Sequence, residues 1–333
     1  MSRAPSTAGL ATLDDIRAAG RLLEGVVTRT PLVPFGQPAD RVYLKAESLQ
    51  PIGAFKIRGA YAAIAGLADD ARRRGVITYS SGNHGQGVAR AARLLGAPAV
   101  VVMPDDAPAI KAERVAADGA EIVRVGPSSE ERREVGERLA AERGLTVIPP
   151  FDDDRIIAGQ GTVGLEIVEA LPDVAAVLVP VGGGGLASGV AVAVKALQPR
   201  ARVVGVEPEL AADARDSLRQ GRIVTWPAEQ VGRTIADGTR TTSLGERTFA
   251  HLAVLLDAIV TVTEQEIATA VRLVAEESRL VAEPSGALAP AAVRFRAAEA
   301  GLDDARGPIV AIVSGGNVDP DRYRTLLAPA PAR

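Results

Sequence analysis

From Val174 to Val194 the chain carries no charged residue, reading VAAVLVPVGGGGLASGVAVAV. A run of that length is long enough to span a bilayer. A proline and four consecutive glycines at its centre argue against a membrane helix, because these are the poorest helix formers. The segment reads instead as a strand over 175–181, a glycine bend at 182–185 and a helix of small residues ending near Leu197. A strand that is apolar throughout must be covered on both faces, which helices packed on the two sides of a parallel sheet accomplish. The expected fold class is therefore α/β, with parallel sheets flanked by helices.

The rest of the chain repeats this order. Short valine-rich runs at 76–78, 99–103, 121–125 and 146–148 alternate with helical patterns at 85–96, 107–119 and 128–144. Gly96, Gly119 and Gly144 follow those helices, where a left-handed C-cap is wanted. A helix from about 155 to 170 leads into the uncharged run. Strands at 202–207, 258–263 and 308–313 and helices at 264–279 and 285–298 complete the pattern. The stretch 210–250 lacks periodicity and reads as loops with short helices. Both ends of the chain read as frayed.

Composition removes most other chemistries. The 333 residues include no cysteine, which excludes disulfides, thiolate catalysis and cysteine-held zinc or iron–sulfur centres, and suits a cytoplasmic protein. Two histidines, His84 and His251, do not make a multi-histidine metal site. A net charge of −3 and 3% aromatic content provide neither a basic face for nucleic acid or an anionic membrane nor a base-stacking surface. Neither nucleic acid nor a membrane is expected as a partner. The N-terminal segment MSRAPSTAGLATLDDIRAAG has no apolar core of a signal peptide.

Three polar loops close strands. Gly182, Gly183, Gly184 and Gly185 sit between a strand and a helix, where converging backbone N–H groups bind a phosphate. No GxxxxGK[ST] is present, and GxGxxG fits 182–189 only loosely, so a dinucleotide is the weaker use of this loop. SSGNHGQG (80–87) and SGGN (314–317) also follow strands, where parallel folds bind ligands. Lys56, in GAFKIRGAY, stands at a helix start among apolar residues. The positive end of the helix and desolvation both favour its free amine, the form that attacks carbonyls. A phosphate cradle and a reactive lysine together suggest pyridoxal 5′-phosphate held as a Schiff base.

The segments ESLQPIGAFKIRGAY, SSGNHGQG, IAGQGTVGLEI, VGGGGL, IADG, AEPSGA and SGGN, in that order, resemble the fold type II pyridoxal phosphate enzymes. The match is with the threonine/serine dehydratase and serine racemase group, whose two-domain fold is tryptophan synthase β-like. The resemblance implies that Lys56 carries the cofactor and moves the Cα proton. It implies that Phe55 packs beside the cofactor, Asn83 bonds its 3′-oxygen, Gly182–Gly185 with Leu186 cradle the phosphate, and Ser314 faces the pyridine nitrogen. Ser80, Ser81, Asn83 and His84 would bind the substrate carboxylate, and Arg132 aligns with an arginine that some racemases use near the substrate.

A neutral hydroxyl at Ser314 makes the ring a weaker electron sink than a carboxylate would. The expected reaction is therefore β-elimination from L-threonine, L-serine or a related β-hydroxy amino acid, giving a 2-oxo acid and ammonia. Hydroxyaspartate is among the candidate substrates. Ser81 occupies the position of the second base of serine racemases, so racemisation is the alternative. Ala54 replaces the serine common before the Phe–Lys pair. Glu207, Ala211 and Asp213 match the spacing of a racemase cation site, whose oxygen ligands suit Mg²⁺ or Ca²⁺; a solvated acidic loop is the competing reading. Asp152 to Asp154 read as caps of the following helix. A small domain is expected over 75–150 and a large one over 1–74 plus 151–333, with the active site between them. The resemblance also implies a homodimer without an appended regulatory domain.

Overall fold

The computed structural model describes residues 9–80, 82–105, 109–126 and 129–328. Its strands are β1 (Leu32–Pro34), β2 (Val42–Ala46), β3 (Val76–Thr78), β4 (Ala99–Pro104), β5 (Glu121–Val125), β6 (Thr146–Val147), β7 (Ala176–Pro180), β8 (Arg202–Pro208), β9 (Ala258–Val262) and β10 (Ile309–Val313). They make two sheets. One has the order β1-β2-β10-β7-β8-β9 and the other β5-β4-β3-β6. All neighbours are parallel except the β1–β2 pair, which aligns Leu32 with Lys45 and Pro34 with Tyr43.

The helices are α1 (Leu13–Leu22), α2 (Lys56–Ala65), α3 (Asp69–Arg74), α4 (Asn83–Leu94), α5 (Ala109–Ala117), α6 (Ser129–Arg143), α7 (Asp154–Ala170), α8 (Gly185–Leu197), α9 (Asp213–Gln220), α10 (Ala228–Val231), α11 (Glu246–Leu255), α12 (Glu264–Ser278), α13 (Leu288–Phe295) and α14 (Pro320–Leu327). The uncharged run is strand, bend and helix: β7 is buried at every position, and α8 follows the glycines. Among the described residues, no helix is long and apolar enough to cross a membrane. Gly96, Gly119 and Gly144 take φ of 65°, 80° and 66°, the left-handed C-caps expected of them.

The β1–β2 hairpin is absent from the sequence reading. Its strands are short, and β2 places Lys45 where an apolar residue is the rule. The 80–87 segment also differs: α4 starts at Asn83, so Asn83 and His84 lie in its first turn rather than in a loop. Of the three aspartates, Asp153 caps α7 through the amides of Arg155 and Ile156, whereas Asp152 caps α11 through those of Arg247 and Thr248.

Helix α7 is the spacer of the molecule. It lies between α2 and α8, and glycines bring the three backbones together. A Cβ on Gly159 would lie 2.7 Å from the Arg58 carbonyl of α2, and one on Gly161 2.9 Å from the Gly189 carbonyl of α8. A Cβ on Gly189 would overlap the Ile157 carbonyl. On its other side α2 buries Ile57, Ala60 and Ile64 in one apolar cluster with Val76, Val88 and Met103. The helix that starts at Lys56 therefore touches the four-stranded unit and the α7–α8 pair at once.

Candidate active site

The site is assembled at the carboxyl ends of the parallel strands. The glycine run follows β7, SGGN follows β10 and the segment leading to Asn83 follows β3. β7 and β10 are neighbours in the sheet, which puts the first two loops side by side. Strand-like pairing joins Ala54 to Gly315, and the Phe55 amide donates to the Ser314 carbonyl at 3.0 Å. The residues before Lys56 are thereby tied to the β10 loop.

Lys56 is the first residue of α2 and is half-buried. Its Nζ donates to the Pro150 carbonyl at 2.7 Å and lies 5.2 Å from the centre of the Phe55 ring. Burial pulls its pKa from the ordinary 10.5 down to about 8. Chemistry at this lysine is consistent with how the other three are held. Lys45 pairs with Glu166, Lys111 with Asp237 and Lys195 with Asp257. Among the described residues, Lys56 is the one lysine with no carboxylate partner, so the least opposes loss of its proton.

The loop 148–152 links Lys56 to the glycine run. The Pro150 carbonyl holds Nζ, and the next side chain, Phe151, lies where a Cβ on Gly183 would be, while a Cβ on Gly185 would come within 3.1 Å of the same residue. Gly184 has φ of 92° and leads into α8 with no side-chain cap. The first-turn amides of α8, including those of Gly185 and Leu186, are left for an anion. Gly182 packs against Thr239 beside the IADG motif, and the Gly238 amide donates to Ser285 Oγ at 2.8 Å. Four motifs that are far apart in sequence thus meet here.

His84 is buried. Its Nε2 lies 3.0 Å from the Ile148 carbonyl, which can only accept, so Nε2 carries the proton and Nδ1 is a buried acceptor with no hydrogen-bond partner. Burial, then the nearby Lys56 charge, push its pKa to about 3, so the ring is neutral at ordinary pH. Asn83 donates to Glu283 Oε1 at 2.6 Å and accepts from Asn317 Nδ2 at 2.8 Å. Burial, then the Asp237 charge, raise the Glu283 pKa to about 8. Ser314 is buried, with its Oγ 3.5 Å from the Ser285 carbonyl, too long to commit its proton. Ser80 is half-buried at the end of β3, with its carbonyl under Gly85. Ser81 lies outside the described residues.

Pro150, Phe151, Glu283 and Asn317 join the site without having been expected there from sequence. The last two stand inside quoted motifs, whereas a backbone carbonyl at 150 leaves no signal in a sequence. Arg132 is half-buried on α6. Glu207, at the end of β8, and Asp213, at the head of α9, form a second cluster with the buried Ala211. Glu207 accepts from the amides of Ala214 and Arg215 at 2.9 and 2.8 Å, and Asp213 Oδ2 is buried without a hydrogen bond. Burial, then the Asp213 charge, raise the Glu207 pKa well above normal, and burial first raises that of Asp213 to about 7. Among the described residues there is no group of three or more His, Cys, Asp or Glu that could hold a metal; the pair reaches three ligands only with a backbone carbonyl.

The residues around Lys56 fit pyridoxal phosphate: an amine with a lowered pKa, an uncapped helix start behind glycines that admit no side chain, and a neutral hydroxyl. A family model described as pyridoxal-phosphate dependent enzyme matches residues 23–315. The chain is 42% identical over 322 residues to an L-threo-3-hydroxyaspartate ammonia-lyase of Saccharomyces cerevisiae, spanning 95% of this chain and 96% of that protein. It is 37% identical over 323 residues to a serine racemase of Schizosaccharomyces pombe, spanning 96% and 98%. The crystal structure of a threonine deaminase from T.th. superposes with a TM-score of 0.85 at 45% identity, over 92% of this chain and 99% of that one. By the extent of these matches and the lysine and glycine loop they cover, the chain belongs to the pyridoxal-phosphate dependent enzymes.

Proposed function

We propose that the protein is an ammonia-lyase that eliminates the β-hydroxyl of L-threonine, L-serine or a related β-hydroxy amino acid such as threo-3-hydroxyaspartate, releasing a 2-oxo acid and ammonia. The observation that carries this is Lys56: a lysine with no carboxylate partner and a pKa of about 8, joined through Pro150 and Phe151 to a glycine cradle. Bound pyridoxal phosphate supplies the electron sink for breaking the Cα–H and Cβ–O bonds.

Lys56 Nζ would hold the cofactor and take the Cα proton; an amine titrating near the working pH suits both tasks. Gly182–Gly185 and Leu186 would bind the phosphate through their amides, Phe55 would pack beside the ring, Asn83 would bond the 3′-oxygen and Ser314 would offer the ring nitrogen a neutral hydroxyl. The substrate carboxylate is bound by Ser80, Ser81 and the first-turn amides of Asn83 and His84. The neutral His84 ring offers only an acceptor at Nδ1, so it is the His84 amide that serves an anion. Arg132 is assigned to the outer end of the substrate. The two sheets are taken as two domains, 75–150 and the remainder, with α2 bridging them. A cytoplasmic homodimer is the assembly we assign, supported by the absence of cysteine and by the family resemblance.

A panel of β-hydroxy amino acids scored for both products tests the activity. We expect 2-oxo acid from at least one of L-threonine, L-serine and threo-3-hydroxyaspartate. D-serine without 2-oxo acid would replace the lyase with the racemase.

We also assign a divalent cation, Mg²⁺ or Ca²⁺, to Glu207, Asp213 and the Ala211 carbonyl, supported by the buried, unpaired Asp213 Oδ2. A carboxyl whose pKa rises on folding, here from 3.8 to about 7, stabilises the fold below its ordinary pKa and loses that contribution as pH rises through 7. In chelator, the melting temperature should fall between about pH 5 and pH 8, and saturating Mg²⁺ or Ca²⁺ should restore it. Identical melting with and without cation at the upper pH would remove the assignment.

A further inference from the structure

Arg58 stands two residues beyond Lys56 and is fully buried. Two residues along a helix is a rotation of about 200°, so Arg58 projects from the face of α2 opposite Lys56. Its guanidinium bonds Glu47 through Nε and Nη2, both at 2.8 Å, and Glu166 through Nη1 and Nη2 at 2.7 and 3.0 Å. Nη1 also reaches Thr162 Oγ1 at 3.0 Å, and Nη2 the Thr28 carbonyl at 3.2 Å. Lys45 completes the cluster from β2, bonding Glu166 at 2.5 Å and the Thr30 carbonyl at 2.7 Å. Two cations and two carboxylates balance. Burial opposes ionisation of both Glu47 and Arg58, yet their attraction holds Glu47 below and Arg58 above the ordinary range.

A buried quartet of this kind adds little net stability, because desolvation offsets most of the attraction. What it does supply is geometry. A fork bonded to two carboxylates on different elements admits one rotation and one axial position of its helix. The start of α2 has no side-chain cap at Phe55 to do this.

We infer that Arg58 is the positioning residue for Lys56: its fork to Glu47 and Glu166 fixes the first turn of α2 and thereby the place of Nζ in the cleft. This rests on Lys56 being the cofactor lysine. The Gly59 amide adds a second restraint from α7, donating to Gln160 Oε1 at 3.3 Å. The groups facing Lys56 itself are His84 and the Pro150 carbonyl, and neither belongs to the quartet.

The test is Arg58→Lys in the holoenzyme, with active sites counted by borohydride trapping at position 56. An ammonium keeps the charge but does not fork to two carboxylates. We expect kcat per trapped site to fall by about 10- to 100-fold with KM changed less than about threefold, as for a reacting group misplaced by about an ångström. In cofactor-free protein, the pH midpoint for labelling Lys56 with an amine reagent should move from about 8 towards the ordinary 10.5. A purely structural role would reduce the number of sites and leave both quantities unchanged, and that result would overturn the inference. If Arg58→Lys does not fold, Glu47→Asp, which keeps the charge and shortens the fork's partner, decides on the same readouts. Trapping at another lysine in the unaltered enzyme would refute the Lys56 reading itself, before any comparison of variants.

Discussion

Lys56→Ala is expected to yield a folded protein that turns over substrate at least about 10³-fold more slowly and holds no covalent cofactor. The expected loss is large because the proposed function puts two tasks on one nitrogen, attachment of the cofactor and transfer of the Cα proton. No neighbour replaces it. His84 is neutral, with a pKa near 3, and its ring is held by Ile148, while Lys45, Lys111 and Lys195 are each held in an ion pair with a carboxylate. Folding survives because the side chain makes one hydrogen bond, to the Pro150 carbonyl, worth about 1 kcal/mol. Alanine is also the better residue for a helix start that needs no charge. Turnover, visible absorbance and the thermal midpoint, measured together, check the three parts. An unchanged kcat in Lys56→Ala would end the assignment of this residue.

Gly189→Ala is expected to destabilise the protein by about 3 kcal/mol or more and to weaken cofactor binding. In most helices this exchange is favourable by about 1 kcal/mol, so the sign is the test. Here the added methyl would overlap the Ile157 carbonyl and press on the Gly161 amide of α7, both backbone atoms that do not swing aside. Helix α8 would have to move off α7, carrying the glycine cradle away from the Lys56 helix on the other side of the spacer. Denaturant unfolding gives the stability, and titration of the apoprotein with pyridoxal phosphate gives the affinity. A variant as stable as the parent would show that α7 does not set this spacing.

The parts of this site that could be read from the sequence are those with a local signature. The bend at 182–185 stands out because an apolar strand precedes it and small residues follow. Lys56 stands out because a cation at an apolar helix start is costly unless used. The first turn of α4 reads as loop because Gly82 precedes it and Asn83 is a poor helix former. The structure shows why Gly85 and Gly87 are glycines: a side chain at Gly85 would overlap the Ser80 carbonyl, and one at Gly87 would come 3.2 Å from that of Lys56. Contacts made across the fold leave no such trace. The acids that hold Arg58, Glu47 and Glu166, are separated in the chain and look like ordinary surface glutamates until β2 and α7 meet α2. Asp152 stands one residue before the α7 cap, Asp153, yet caps α11, because an aspartate's spacing does not identify the helix that uses it. The Pro150 carbonyl, which holds the Lys56 amine, is backbone and has no residue type to betray it.

The most direct measurement is borohydride reduction of the pyridoxal phosphate-loaded protein followed by peptide mapping. The chain has four lysines, at 45, 56, 111 and 195, so the label has few places to go. We expect one phosphopyridoxyl group per chain, on Lys56. A label on any of the other three, or no label on a protein shown to bind the cofactor, would contradict it.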